Sequence, residues 1–178
     1  PEPFTGDPHH DALLLATEKA RAVAFLRPDA VVIGADTIVY EGSNLYGKPI
    51  DPAHATAMWT ALRGREHGVV TGVAVVELGE AEAGWSEARI TLSNLSDSQI
   101  KAYVESGRPM DKAGAYAIQD DDVPTVAASA GCYCSTVGLP LWRLKRMLEA
   151  RGIGCRAPSE TLPRCAACPE RDGAAPPS

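Results

Sequence analysis

Apolar residues recur at helical spacing from His9 or Asp11 to about Leu26, where Leu13, Leu14, Ala16, Ala20, Val23, Ala24 and Phe25 outline a stripe that Arg27-Pro28 closes. Val31 to Tyr40 then reads as a β-branched strand that pauses at Gly34 and resumes after Thr37. Glu41-Gly42-Ser43-Asn44 folds it back as a hairpin onto a short second strand. Asp51 suits the cap and Pro52 the first turn of a helix to about Leu62, with Ala55, Met58, Trp59 and Leu62 inside. His67 to Leu78 is a long β run in which Gly68 and Gly72 signal bulges or close backbone approach. Gly79 to Gly84 reads as a turn and Trp85 to Leu95 as the antiparallel partner. Ser96 caps a helix that buries Ile100, Tyr103 and Val104 and ends at Gly107. Gly131 to Gly138 reads as a small-residue loop, and Leu139-Pro140-Leu141 opens a helix through Leu144, Met147 and Leu148 to Gly152. Proline, alanine and charge dominate beyond Cys155, which predicts a domain over residues 1–154 and a tail over 155–178, disordered from Ala157.

Length and charge narrow the class. A chain of 178 residues suits one domain with a core that needs no disulfides. A net charge of −6 is the wrong sign for holding long nucleic acid by backbone neutralisation, although a single nucleotide needs only a few local cations. No apolar run approaches the ~20 residues that span a bilayer, and Pro1 to Asp7 lack a basic segment followed by an apolar one, so a cytoplasmic enzyme is the expectation. The five cysteines, at 132, 134, 155, 165 and 168, form no secreted disulfide framework. Cys155, Cys165 and Cys168 offer three thiolates to a metal without an evident fourth ligand, and loose tail thiols are the plainer reading.

Candidate chemistry concentrates in two stretches. Asp36 places a carboxylate where a core strand should be apolar, a position that costs several kcal/mol unless the group is paired or bound. It is either a turn residue satisfied by backbone donors or a catalytic or metal-binding carboxylate at a strand end. Lys48, held between flexible Gly47 and rigid Pro49, is a surface lysine or a phosphate contact near Asp36. In Asp111-Lys112-Ala113-Gly114-Ala115-Tyr116-Ala117-Ile118-Gln119 small residues admit a ligand, Lys112 brings a cation, and Gln119 brings an amide that can match the edge of a base. Lys19 and Arg21 are solvated charges or phosphate contacts, with solvation the plainer reading, His67 reads as structural, and Asp120-Asp121-Asp122 as a solvated turn.

Taken in order, Gly34-Ala35-Asp36-Thr37, Gly47-Lys48-Pro49, the His67 to Val73 run, Asp111 through Gln119, and Val137-Gly138-Leu139-Pro140-Leu141 resemble the successive signatures of the Maf family, the septum formation inhibitor Maf-like proteins. The resemblance covers about residues 10 to 152. It implies an α/β fold related to inosine triphosphate pyrophosphatase, with an elongated mixed β-sheet flanked by helices and two lobes around a nucleotide cleft. It further implies a cytoplasmic homodimer that hydrolyses the α–β phosphate bond of a nucleoside triphosphate with Mg²⁺ or Mn²⁺. In that pattern Asp36 matches the proton acceptor and a metal ligand, Lys48 the lysine at the phosphates, and Lys112 a second cation. Thr37 and Gln119 match positions that mark the branch acting on dTTP and UTP, with modified pyrimidine nucleotides as further substrates. The family's first strand and its Ser-x-Ser-Pro-Arg-Arg loop have no counterpart before Pro1, and Arg63 and Arg65 stand elsewhere. The expectation from this is a fragment, or an impaired nucleotide-binding or septum-regulating module with an unfilled sheet position.

Overall fold

In the computed structural model of the chain, which describes residues 5–120 and 122–173, the β-branched run forms one uninterrupted strand, Val32–Glu41 (β1). It does not pause at Gly34. The strand Glu66–Glu77 (β3) pairs with it antiparallel from Val32↔Val76 to Tyr40↔Gly68, so ladder hydrogen bonds carry the backbone straight through Gly34 and Asp36. Gly34 serves a different need. A Cβ there would lie 2.3 Å from the Ala16 carbonyl oxygen of the helix Pro8–Leu26 (α1), and one at Gly72 would lie 2.2 Å from the Ala12 carbonyl oxygen. The two glycines therefore let α1 rest directly on the backbone of the β1–β3 pair.

The helix answers with small residues. Ala12, Leu15, Ala16 and Ala20 are buried on the sheet side, whereas Val23 and Phe25, which the apolar spacing also suggests, lie exposed. Asp7 caps its start, accepting from the backbone N–H of His9 at 2.9 Å.

Among the described residues the sheet has five strands in the order β2-β1-β3-β4-β5, where β2 is Asn44–Tyr46, β4 is Glu80–Leu92 and β5 is Val126–Gly131. All pairings between these strands are antiparallel, so the mixed character expected of the sheet shrinks to one parallel bridge, Arg63 to Leu92. Central β3 is buried continuously from His67 to Val76, because α1 covers one face and the remaining helices the other. The β3–β4 hairpin turns on Leu78 and Gly79, both at positive φ, rather than over Gly79 to Gly84 as the composition suggests.

On the face opposite α1, the helices Pro52–Leu62 (α2) and Asp97–Glu105 (α3) bury Trp59, Leu62, Ile100 and Tyr103 against Val69, Ile90 and Leu92. Helix Leu141–Glu149 (α5) sets Leu144 and Met147 on Val73 and Val75. The short helix Tyr133–Val137 (α4) occupies ground that reads in sequence as loop, and strand β5 precedes it in a stretch to which the apolar pattern assigns no element.

Beyond residue 155, where composition predicts a disordered tail, the described residues carry further elements. A short helix, Pro158–Thr161 (α6), and a 3-10 turn, Pro163–Ala167, lead to a buried Glu170. That carboxylate accepts from Ser86 Oγ at 2.7 Å, and the backbone carbonyl of the same residue accepts from the Arg146 guanidinium at 2.8 Å. Buried polar partners supply what the apolar content of this segment does not. The expectations for Pro1 to Phe4, Asp121 and the last five residues lie outside the described residues.

The seating of α1 yields a direct prediction. Gly34→Ala or Gly72→Ala forces a methyl into helix backbone that has no rotamer by which to yield, and should destabilise the fold by at least the ~1–3 kcal/mol typical of overpacking. Urea unfolding followed by circular dichroism measures the loss; a variant as stable as the parent would contradict this account of the helix–sheet contact.

Candidate active site

Among the described residues β2 pairs only with Val39 to Glu41, so the first part of β1 has β3 on one side alone. At this open edge, side chains from opposite faces of the strand reach a single cleft. Asp36 shares its face with Gly34 and lies on the α1 side, while Thr37 lies on the other. The cleft has a volume of about 260 Å³. Its walls carry Lys19, Asp36, Thr37, Lys48, Asp111 and Lys112, with Val39, Val69, Tyr116 and Ile118 supplying an apolar floor.

Asp36 is not a turn residue. Its side chain is only 13% exposed and pairs with the ammonium of Lys19 on α1, which offsets the desolvation cost noted above. Sequence reading prefers solvent to a phosphate contact for Lys19 because helical periodicity alone does not reveal which strand residue its helix crosses. The glycine contacts that seat α1 determine that crossing.

Two loops bring in the other cations. Gly114 donates its N–H to the Gly47 carbonyl at 3.1 Å, tying the Gly47-Lys48-Pro49 loop to the Lys112-Ala113-Gly114 segment. Gly114 and Ala115 both take positive φ there, and the Trp59 indole N–H donates to the Ala115 carbonyl at 2.8 Å, so α2 pins the segment from behind. Lys112 pairs with Asp111, whose carboxyl it holds below the ordinary range, with the charge of Lys48 adding to the effect. Asp111 is a cleft residue that the motifs alone do not single out. Arg63 and Arg65 are engaged elsewhere, with Asp97 at 2.5 Å and Glu41 at 2.6 Å.

Thr37 has a defined polarity. Its Oγ1 stands 2.8 Å from Thr71 Oγ1, and Thr71 Oγ1 donates to the Ser135 carbonyl at 2.6 Å. Because Thr71 has one hydroxyl proton and gives it to Ser135, Thr37 must donate to Thr71. Thr37 therefore offers the cleft lone pairs and no proton.

The structure does not bring Gln119 into this lining. Its side chain is exposed and borders a separate hollow with Tyr133, Leu162, Pro163 and Arg164, adjoining the cleft through neighbouring Ile118. Of the sequence-derived candidates, Asp36, Thr37, Lys48 and Lys112 meet around one space and Gln119 stands beside it. Among the described residues no group of three or more His, Cys, Asp or Glu is arranged to hold a metal ion by itself. The cleft does carry two carboxylates, Asp36 and Asp111. That donor set fits a hard cation such as Mg²⁺, which is commonly held by one or two carboxylates together with substrate phosphates.

Behind the floor, His67 Nε2 and Tyr116 OH are hydrogen-bonded at 2.7 Å. Burial pushes the His67 imidazole down from 6.5 to about 4 and raises the Tyr116 hydroxyl. Neutral His67 is thus the folded-state form, and between these two values the unfolded chain binds the extra proton. Stability contributed here is full above pH 6.5 and is lost on acidification toward pH 4, by on the order of 3 kcal/mol. Denaturant midpoints measured from pH 7 to 4 should fall accordingly, and His67→Gln should flatten that part of the profile; an unchanged profile would contradict the assignment.

A sequence model of the family described as "Maf-like protein" matches residues 2–151. The dTTP/UTP pyrophosphatase of Symbiobacterium thermophilum is 47% identical over 138 residues, covering 78% of this chain and 71% of the relative. That of Thermomicrobium roseum is 41% identical over 164 residues, covering 91% and 75%, and that of Moorella thermoacetica 46% over 141 residues, covering 78% and 73%.

Proposed function

The chain belongs to the Maf-like protein family, and on that footing we propose that it is a nucleoside triphosphate pyrophosphatase that converts dTTP and UTP to the monophosphate and pyrophosphate. The observation that carries the reading at residue level is the meeting of Asp36 with three lysines, Lys19, Lys48 and Lys112, over an apolar floor. A triphosphate needs cations for its charge and its base needs an apolar surface, and the cleft offers both.

In this reading Asp36 accepts the proton of the water that attacks the α-phosphorus. Lys19 holds the Asp36 carboxylate in place before substrate arrives. Lys48 and Lys112, on loops tied together through Gly47 and Gly114, take the phosphate oxygens. A divalent cation, held by Asp36 and Asp111 with the substrate's own phosphates, would supply further stabilisation of the charge that develops on them. Thr37, able only to accept, suits the imide N–H that thymine and uracil share. Gln119, which lines a hollow beside the cleft, is assigned to the edge of the base on the family pattern alone. Modified pyrimidine nucleotides that keep the imide N–H are substrates on the same grounds.

The same proposal includes a cytoplasmic location, where such nucleotides are consumed; no described helix is long and apolar enough to cross a membrane. It also includes a homodimer, supported by the exposed apolar side chains of Phe25 and Leu78, which line one surface hollow. Sedimentation equilibrium should give twice the chain mass of 18.8 kDa, and a monomer at micromolar concentration would remove the dimer from the account.

Substitution at the carboxylate and at the threonine separates catalysis from recognition. Asp36→Asn should lower pyrophosphate release from dTTP by about a hundred- to ten-thousand-fold with the fold intact. Thr37→Val should leave kcat largely unchanged and raise KM about tenfold, the worth of one lost hydrogen bond to substrate. Undiminished turnover by Asp36→Asn, with binding and melting unchanged, would sink the assignment of the base.

A further inference from the structure

The C-terminal segment brings two cysteine pairs together that lie far apart in sequence. Cys134, in α4, and Cys165, in the turn Pro163–Ala167, stand with their Sγ atoms 3.0 Å apart, both buried. Cys132, the N-cap of α4, packs in the same apolar cluster as Cys168, while half-buried Cys155 stands apart near the Ile153 carbonyl. The alignment of the first pair does not depend on sulfur. The Trp142 indole N–H donates to the Cys165 carbonyl at 2.9 Å, Glu170 is anchored to Ser86 and Arg146, and the Arg164 guanidinium stacks 4.8 Å from the Tyr133 ring centroid.

Three of these thiols border a surface cavity. Cys134, Cys165 and Cys168 line a cavity of about 480 Å³ that also carries Arg164 and Tyr133 and adjoins the cleft around Asp36 at Ile118. That volume admits a small peptide-sized ligand, and Arg164 gives it a cation at which an anionic one can pause. Two thiolates sharing a tetrahedral zinc would stand ~3.7 Å apart on ~2.3 Å bonds, farther than this pair. A disulfide needs ~2.05 Å, a closure of about 1 Å from 3.0 Å.

We propose that Cys134 and Cys165 are a redox modification site, oxidised by a low-molecular-weight disulfide entering that cavity to an intramolecular cross-link that clasps the C-terminal segment onto α4. The Cys165 thiolate attacks one sulfur of the small disulfide, expelling one thiolate and forming a mixed disulfide. The Cys134 thiolate then attacks the Cys165 sulfur and expels the second. Two S–H bonds and one S–S bond break, one protein S–S bond and two small-molecule thiols form, and two electrons pass to the small disulfide. The clasp acts on the catalytic region through α4, whose Thr136 and Val137 wall the Asp36 cleft and whose Ser135 carbonyl orders Thr71 beneath Thr37. It requires no assumption about the substrate of that cleft.

Burial, and then the hydrogen bond and charge of Cys165, hold the Cys134 thiol well above its ordinary range, so its thiolate is scarce at neutral pH. Oxidation should therefore accelerate as pH rises from 7 to 9. The test is to incubate the full chain with oxidised glutathione, alkylate the remaining thiols, and localise any link by tandem mass spectrometry. The expected result is a Cys134–Cys165 cross-link two hydrogens lighter than the free thiols, reversed by dithiothreitol. A rise in melting temperature on the order of 5–10 °C should accompany it. Cys155→Ser should still form the link, and Cys134→Ser and Cys165→Ser should each lose both the link and the temperature rise. The parent chain decides the matter even if a variant fails to fold. Full alkylation of Cys134 and Cys165 after oxidation, a Cys132–Cys168 link in their place, or stoichiometric zinc that blocks oxidation would each overturn the proposal.

Discussion

The direct seating of α1 on the β1–β3 backbone is the constraint on which the site depends. A helix on a sheet is normally held off by the side chains between them, but Gly34 and Gly72 remove those side chains, and Ala12 and Ala16 complete the contact from the helix. The approach fixes where each helical residue falls along β1. Lys19 then lies over Asp36, and an acid inside a β-branched strand acquires a cation without a turn or a bound ion. If the helix lifted or slid by one residue, the pair would part and Asp36 would bear its desolvation alone.

The opposite face of the same strand is ordered by hydroxyl groups. From Thr37 the hydrogen bonds pass to Thr71 and the Ser135 carbonyl, and Ser135 Oγ in turn donates to the Ser86 carbonyl at 2.6 Å. Ser86 Oγ continues to Glu170 near the end of the described chain. Each donor in this series has one proton to give, so a single direction satisfies the chain and leaves Thr37 as an acceptor. The C-terminal segment thus takes part in the site although none of its residues lines the cleft. Chemistry at Cys165 can be felt there for the same reason.

Much of this was legible in the amino-acid order. The motifs place Asp36, Thr37, Lys48 and Lys112 in one functional group, and the structure gathers them around one cleft. The helices capped by Asp51 and Ser96 stand where their caps and apolar spacing predict, because those signals are local. What escaped depends on distant partners. Lys19 is a surface lysine until the glycines of two strands show where its helix lies. Strand β5 carries alanine and serine, with little β-branched signal, and is a strand because β4 offers it an edge. The segment after residue 155 has the composition of a disordered tail, and a buried Glu170 and a buried Cys165, each worth more in context than in composition, hold it to the body.

In the proposed reaction, water activated at Asp36 attacks the α-phosphorus. Turnover of dTTP in ¹⁸O-enriched water, with both products examined by mass spectrometry, tests it most directly. The account predicts one ¹⁸O in the thymidine monophosphate and none in the pyrophosphate. Label in the pyrophosphate instead, or release of single phosphates in place of pyrophosphate, would contradict it.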